Sequence, residues 1–182
     1  MRLDTFAQAE GRRARLTRRS LVRGLVASAL SLPLLTSCQG ESTREIVTHT
    51  IEMISENGGE FFRPDRIRIE PGDKVRWVLA SGFHSATAYH PEIAGKALRI
   101  PAGAEPWDSG LLRADKESFE AVFPDDGVYC YYCTPHEALG MLGVIVVGSF
   151  SNSEPGLAPP QASLPKAAKA KIELFNAWAQ NL

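Results

Sequence analysis

Between Gly127 and Gly148 the chain reads GVYCYYCTPHEALGMLGVIVVG, with a thiol, an imidazole and a thioether at short fixed intervals between two strand-like runs. Cys133 and His136 are separated by two residues, so one tight loop can turn both side chains inward. Met141 lies five positions further on, near the start of the second run. Pro135 fixes a backbone angle inside the loop and Gly140 lets it tighten before the strand resumes. A soft thiolate, a borderline imidazole and a weak thioether together favour copper over zinc, whose structural sites rarely recruit methionine.

Such a set needs one more donor. Two histidines and a cysteine in a trigonal arrangement, with a long axial methionine, form the copper geometry that supports electron transfer. His84, in SGFHSATAYHP, comes just after a glycine at the end of the apolar run Val75 to Ala80, where a strand corner could aim its ring at the Cys133 loop. His90 and His49 are weaker candidates. The first precedes a proline and opens an irregular segment, and the second sits in an alternating strand where its ring could face solvent or the sheet. Taken singly, each residue has a plainer reading: cysteine as a small hydrophobe, methionine as core filler, histidine as a local hydrogen-bonding group. The set together is what points to a metal.

CTPHEALGM, preceded by GVYCYY and followed by LGVIVV, resembles the copper loop of the plastocyanin, pseudoazurin and halocyanin group of blue copper proteins, the cupredoxins. The resemblance spans roughly Ile46 to Val147. It implies Cys133, His136 and Met141 as ligands and His84 as the histidine that follows a strand and a glycine. The family usually carries asparagine after that first histidine to tether the cysteine loop. Ser85 stands there in this chain, so the tether is either made by a hydroxyl or lost.

Neighbouring chemistries fit less well. A dinuclear purple copper centre would require two cysteines separated by three residues, whereas two lie between Cys130 and Cys133. On a strand those two point to opposite faces, which sets Cys130 apart from the metal and disfavours a mutual disulfide. A CYYC redox pair would leave His136 and Met141 unexplained. A copper chaperone would need open, exchangeable ligands.

The ends of the chain follow other rules. The first 38 residues hold seven arginines and two acids, then an apolar run from Leu25 to Leu35 too short to be a confident membrane span. TRRSLVRG, with Arg18 and Arg19 as the pair, resembles a twin-arginine export signal. Leu35, Thr36, Ser37 and Cys38 resemble a lipobox, with Cys38 as the residue lipidated after cleavage and as the membrane anchor. Residues 39–182 then carry 13 basic and 19 acidic residues. No basic run is interleaved with aromatics, which argues against a nucleic-acid partner.

The body alternates with β-branched residues from Ile46 onward. IVTHTIEMI reads as a first strand. Arg66 to Glu70, the turn Pro71–Gly72–Asp73 and Lys74 to Leu79 read as a hairpin, followed by a strand or corner over Gly82 to Tyr89. Glu117 to Phe123, Val128 to Cys133 and Met141 to Val147 complete the pattern. The expected fold is all-β, a Greek-key antiparallel sandwich of seven to eight strands. His90 to Ala114 interrupts it with a proline- and glycine-rich segment whose Trp107 either plugs the sandwich rim or serves the site, by shaping a docking surface or shielding the metal from water. Ser151 to Pro165 reads as a stiff linker, and the recurrence of Leu164, Ala168, Ile172, Phe175 and Trp178 predicts a short C-terminal helix. That helix could lie on the sandwich, on a membrane or against a redox partner.

The resulting domain plan is a signal over 1–38, a cupredoxin domain over 39–150, and a linker and amphipathic tail over 151–182. The implied function is a one-copper electron carrier and not an enzyme, with His136 as the electron exit. Expected partners are redox proteins such as a cytochrome, a terminal oxidase or a copper enzyme, met outside the cytoplasm at a membrane surface.

Overall fold

The computed structural model describes residues 44–182. The readings made at Arg18, Arg19 and Cys38 lie outside the described residues. Two four-stranded sheets face each other, with strand order β2-β1-β4-β6 in one and β3-β8-β7-β5 in the other. The strands are β1 (Thr48–Glu56), β2 (Gly59–Arg63), β3 (Arg66–Ile69), β4 (Lys74–Leu79), β5 (Thr87–Ala88), β6 (Ser118–Val122), β7 (Gly127–Tyr132) and β8 (Leu142–Val147). One α-helix, α1 (Lys166–Ala179), closes the chain. Among the described residues no helix is long and apolar enough to cross a membrane.

Alternation drives the first sheet. In β4, Val75, Trp77 and Leu79 are buried while Arg76 is exposed, so one face is core and the other solvent. The turn Pro71–Gly72–Asp73 does not make a hairpin, however. β3 pairs in parallel with β8 and β4 pairs in parallel with β1, so the chain crosses from one sheet to the other at that turn. The sandwich is therefore mixed rather than purely antiparallel: consecutive strands on opposite sheets cannot pair with each other, and their neighbours arrive by crossovers. Strand β2 has no counterpart in the sequence reading, although Asn57–Gly58 is a strong hairpin signal.

The sheets enclose Ile51, Met53, Phe62, Trp77, Phe123, Tyr131, Ile145 and Val147, with Trp107 stacked on Trp77 at 5.8 Å between ring centroids. Trp107 is thus a core residue, buried against Trp77 and Phe123 rather than forming a surface near the loop.

Strands β7 and β8 are buried at every position. Tyr129 and Tyr131 face the interior, whereas Val128, Cys130 and Tyr132 join Leu142, Val144 and Val146 in a second apolar cluster on the outer face. The C-terminal segment covers that face. Leu157, Ala168, Ile172, Phe175 and Ala179 are buried in the same cluster, and each large apolar side chain covered contributes roughly 1.5–3 kcal/mol. A 14-residue helix is marginal alone, so this packing is what keeps α1 folded.

The stretch expected as a stiff linker instead forms a short 3-10 turn, Pro155–Leu157, held against β7. Buried Arg99 donates to the carbonyls of Pro159 at 2.6 Å and Gly156 at 3.4 Å, and the Cys130 thiol donates to Gly156 O at 3.3 Å. Lys171 closes the far side on Asp65 at 2.5 Å.

Candidate metal centre

Cys133 directly follows β7, and the next six residues, Thr134–Leu139, wind into a 3-10 turn with Pro135 in its first positions. The turn is tied at its neck: Cys133 N–H donates to Met141 O at 3.0 Å and Met141 N–H to His136 O at 3.2 Å. Gly140 ends it in the left-handed conformation, φ 83°, which glycine adopts without strain. Glu137 fixes the outer side, accepting from Tyr89 Oη at 2.8 Å and Lys96 Nζ at 2.5 Å.

The fourth element comes from 52 residues upstream of His136. A two-way backbone bridge, His84 N–H to Leu112 O at 3.2 Å and Leu112 N–H to His84 O at 2.8 Å, holds His84 at the same end of the sandwich. Its Nδ1 lies 3.1 Å from His136 Nδ1 and 3.6 Å from Cys133 Sγ, and His136 Nδ1 lies 3.4 Å from the same sulfur. All three residues are buried, and Met141 is buried beside Cys133 in the core.

These atoms suit a soft cation. Two ring nitrogens and a sulfur converge with no carboxylate among them, a donor set for copper rather than for a hard ion. Burial pushes the Cys133 thiol up to about 11, against the lowering influence of the Ser85 and His136 amides. A cation is therefore needed to hold it as thiolate. Burial, and then the neighbouring His136, lower the affinity of His84 for a proton, leaving its lone pair free to bind a metal.

Ser85 supplies the tether that asparagine supplies in the resembling family. Its hydroxyl oxygen accepts from Thr134 N–H at 2.8 Å, and its own N–H points at Cys133 Sγ at 3.4 Å. The other two histidines are elsewhere. His49 Nε2 bonds Asp73 at 2.9 Å, and His90 Nδ1 accepts from the Glu92 amide at 3.3 Å. Cys130 lies on the opposite face of β7 from Cys133, and both thiols are free. Sequence reasoning missed Ser55 and Glu60, which stand on the far side of the His84 ring.

At the surface, the Phe83 ring packs 5.2 Å from that of His136. Phe83 is 47% exposed and Leu139 63%, so two apolar side chains flank the loop where His136 approaches solvent.

A β-sandwich with a buried histidine, cysteine and histidine cluster at one end defines a copper-protein architecture. Residues 49–148 match the family described as copper binding proteins, plastocyanin/azurin family, and the chain belongs to that family. Over 128 residues it is 30% identical to pseudoazurin of Paracoccus pantotrophus, covering 69% of this chain and 79% of the relative. A plastocyanin from Scenedesmus fuscus is 32% identical over 99 residues, 54% of this chain and 97% of its own. Among solved structures, a Sinorhizobium pseudoazurin superposes with a TM-score of 0.57 at 30% identity, covering 74% of this chain and 98% of its own.

Proposed function

We propose that the chain is a one-copper electron carrier in which His84 Nδ1, His136 Nδ1 and Cys133 Sγ are the close ligands and Met141 is the weak fourth donor. The observation that carries this reading is the convergence of the three donor atoms, all within 4.8 Å of one another and all buried. Copper bound there supplies a one-electron couple that cycles between Cu(I) and Cu(II).

The chain's own residues set the conditions. The neck bonds at Cys133 and Met141, and the Ser85 bond to Thr134, hold the donors in one arrangement, so little has to move when the charge changes. The Ser85 amide aimed at Cys133 Sγ withdraws density from the sulfur. Four protein donors leave no open position for a substrate, which suits outer-sphere transfer and not catalysis. His136 is the ring nearest solvent, and Phe83 and Leu139 beside it exclude water and give a small, quickly released contact. Redox encounters of this kind bury less than about 1,200 Å².

The partner we propose is another redox protein, such as a cytochrome, a terminal oxidase or a copper enzyme, steered by the acidic balance of residues 39–182. The arginine pair Arg18–Arg19 and the Cys38 lipobox support export and lipid anchoring at a membrane surface outside the cytoplasm.

The test is the absorption and paramagnetic resonance spectrum of the copper-loaded protein. An intense visible band should appear, vanish in Cys133→Ser and persist when His90 is replaced. A band retained in Cys133→Ser would sink the ligand assignment, and its loss at His90 would show that His84 is the wrong histidine.

A further inference from the structure

The back of the His84 ring meets a built polar group that the copper reading does not use. With Nδ1 turned to Cys133 and His136, Nε2 faces the hairpin of β1 and β2. There it lies 3.3 Å from Ser55 Oγ and 3.6 Å from a Glu60 carboxylate oxygen. Ser55 and Glu60 are directly opposite each other across the two strands, and the Ser55 hydroxyl donates to the Glu60 carboxylate at 2.5 Å.

The hairpin holds this arrangement firmly. Ser55 N–H donates to Ser81 Oγ at 2.9 Å and Ser81 Oγ donates back to Ser55 O at 3.0 Å, clamping Ser55 from both sides of its backbone. Gly82 leaves the space open. A Cβ there would stand 2.1 Å from Ser55 Oγ and 3.1 Å from His84 Nε2, and its φ of +81° further disfavours any side chain. Among the described residues, His84 is the only cationic or titratable nitrogen within salt-bridge distance of Glu60, whose side chain is 19% exposed.

We propose that Glu60, directly and through the Ser55 hydroxyl, is a positioning residue that lowers the reduction potential of the copper centre. This rests on His84 being a ligand through Nδ1. A carboxylate against the distal N–H of a metal-bound imidazole fixes its tautomer and raises its basicity. Greater density at Nδ1 favours the more highly charged oxidised ion. The Ser81 backbone also faces the His84 ring and acts in the same direction, but it is uncharged and weighs less than the Glu60 carboxylate.

The experiment compares midpoint potentials of copper-loaded wild type, Glu60→Gln, Ser55→Ala, the double variant and Glu52→Gln. Glu52 is an exposed acid on the outer face of β1 and controls for general loss of negative charge. Glu60→Gln should shift the reduced-to-oxidised ratio about tenfold toward reduced at fixed applied potential, a rise of about 59 mV for a one-electron couple. Ser55→Ala should give a smaller rise, and the two changes should not add, because they interrupt one chain of contacts.

Equal shifts in Glu60→Gln and Glu52→Gln, or none in either, would overturn the proposal. Should Glu60→Gln fail to hold copper, the copper-free proteins are read by nitrogen NMR. The share of His84 protonated at Nε2 should fall in Glu60→Gln and stay constant in Glu52→Gln, and an unchanged share in both refutes the contact. A wild-type protein without the visible band would overturn the copper reading and this one with it. An intact band with equal potentials overturns this one alone.

Discussion

The Ser85 hydroxyl accepts the Thr134 amide at 2.8 Å, joining the segment that carries His84 to the loop that carries Cys133 and His136. Ser85 is 2% exposed and Thr134 lies at the surface, so this is a part-buried bond between two stretches 49 residues apart. Ser85→Ala removes that acceptor and should cost about 0.5–1.5 kcal/mol of unfolding free energy. Chemical denaturation of the copper-free protein measures it, and a loss below a few tenths would show that the tether is dispensable.

Met141→Leu keeps the volume of the core but removes the thioether. Copper should stay bound and the visible band should persist, while the reduction potential rises because a donor to the oxidised ion is gone. Redox titration reads this directly. A potential unchanged or lowered would argue against Met141 as a ligand.

Asp73 lies at the opposite end of the first sheet from Ser81 and Gly82, buried under the chain that enters β1. Burial alone would raise its proton affinity, but hydrogen bonds from His49, the Val47 amide, Arg44 and the Glu70 amide outweigh it and hold the carboxyl well below the usual carboxylate range. Below the ordinary carboxylate value of about 3.9 the unfolded chain binds a proton that the folded chain refuses, so stability rises with pH there. The contribution is complete above that value and is lost progressively as pH falls toward the folded-state value. Asp73→Asn should flatten the acid limb of a stability-versus-pH curve, and an identical slope in the variant would count against this account.

Phe175 is 1% exposed beneath α1, in the cluster that covers the outer face of β7 and β8. Phe175→Ala should destabilise by about 3–5 kcal/mol through lost burial and the cavity left behind. Calorimetry would register it as a lower melting temperature. A negligible change would mean that the helix adds nothing to the sandwich.

The metal loop was legible because its spacing is local: Cys133, His136 and Met141 fall within nine residues, and a 3-10 turn brings the first two together whatever the surrounding sheet does. His84 was legible through its place after a glycine at a strand end. Strand alternation also separated Cys130 from Cys133 correctly. The assignment of each strand to a sheet was not legible, because β3 and β4 show the same periodicity whether they pair with each other or cross between layers. Ser55 and Glu60 escaped notice for a related reason: their meeting with His84 depends on hairpin register and sheet packing, which no spacing within one segment encodes. The docked C-terminal segment left one mark that could have been read. GVYCYY and LGVIVV are apolar without alternation, as strands covered on both faces are.

That double cover has a consequence for the order in which the molecule comes apart. Cys133 hangs from a strand with Tyr131 locked into the sandwich on one side and Cys130 sealed beneath Gly156 on the other. The amides of Tyr129 to Tyr132 therefore have no local opening that frees them, and their hydrogen exchange should follow global unfolding. Mild heating would loosen the edges and the exposed loops long before it reached the strand from which the sulfur hangs.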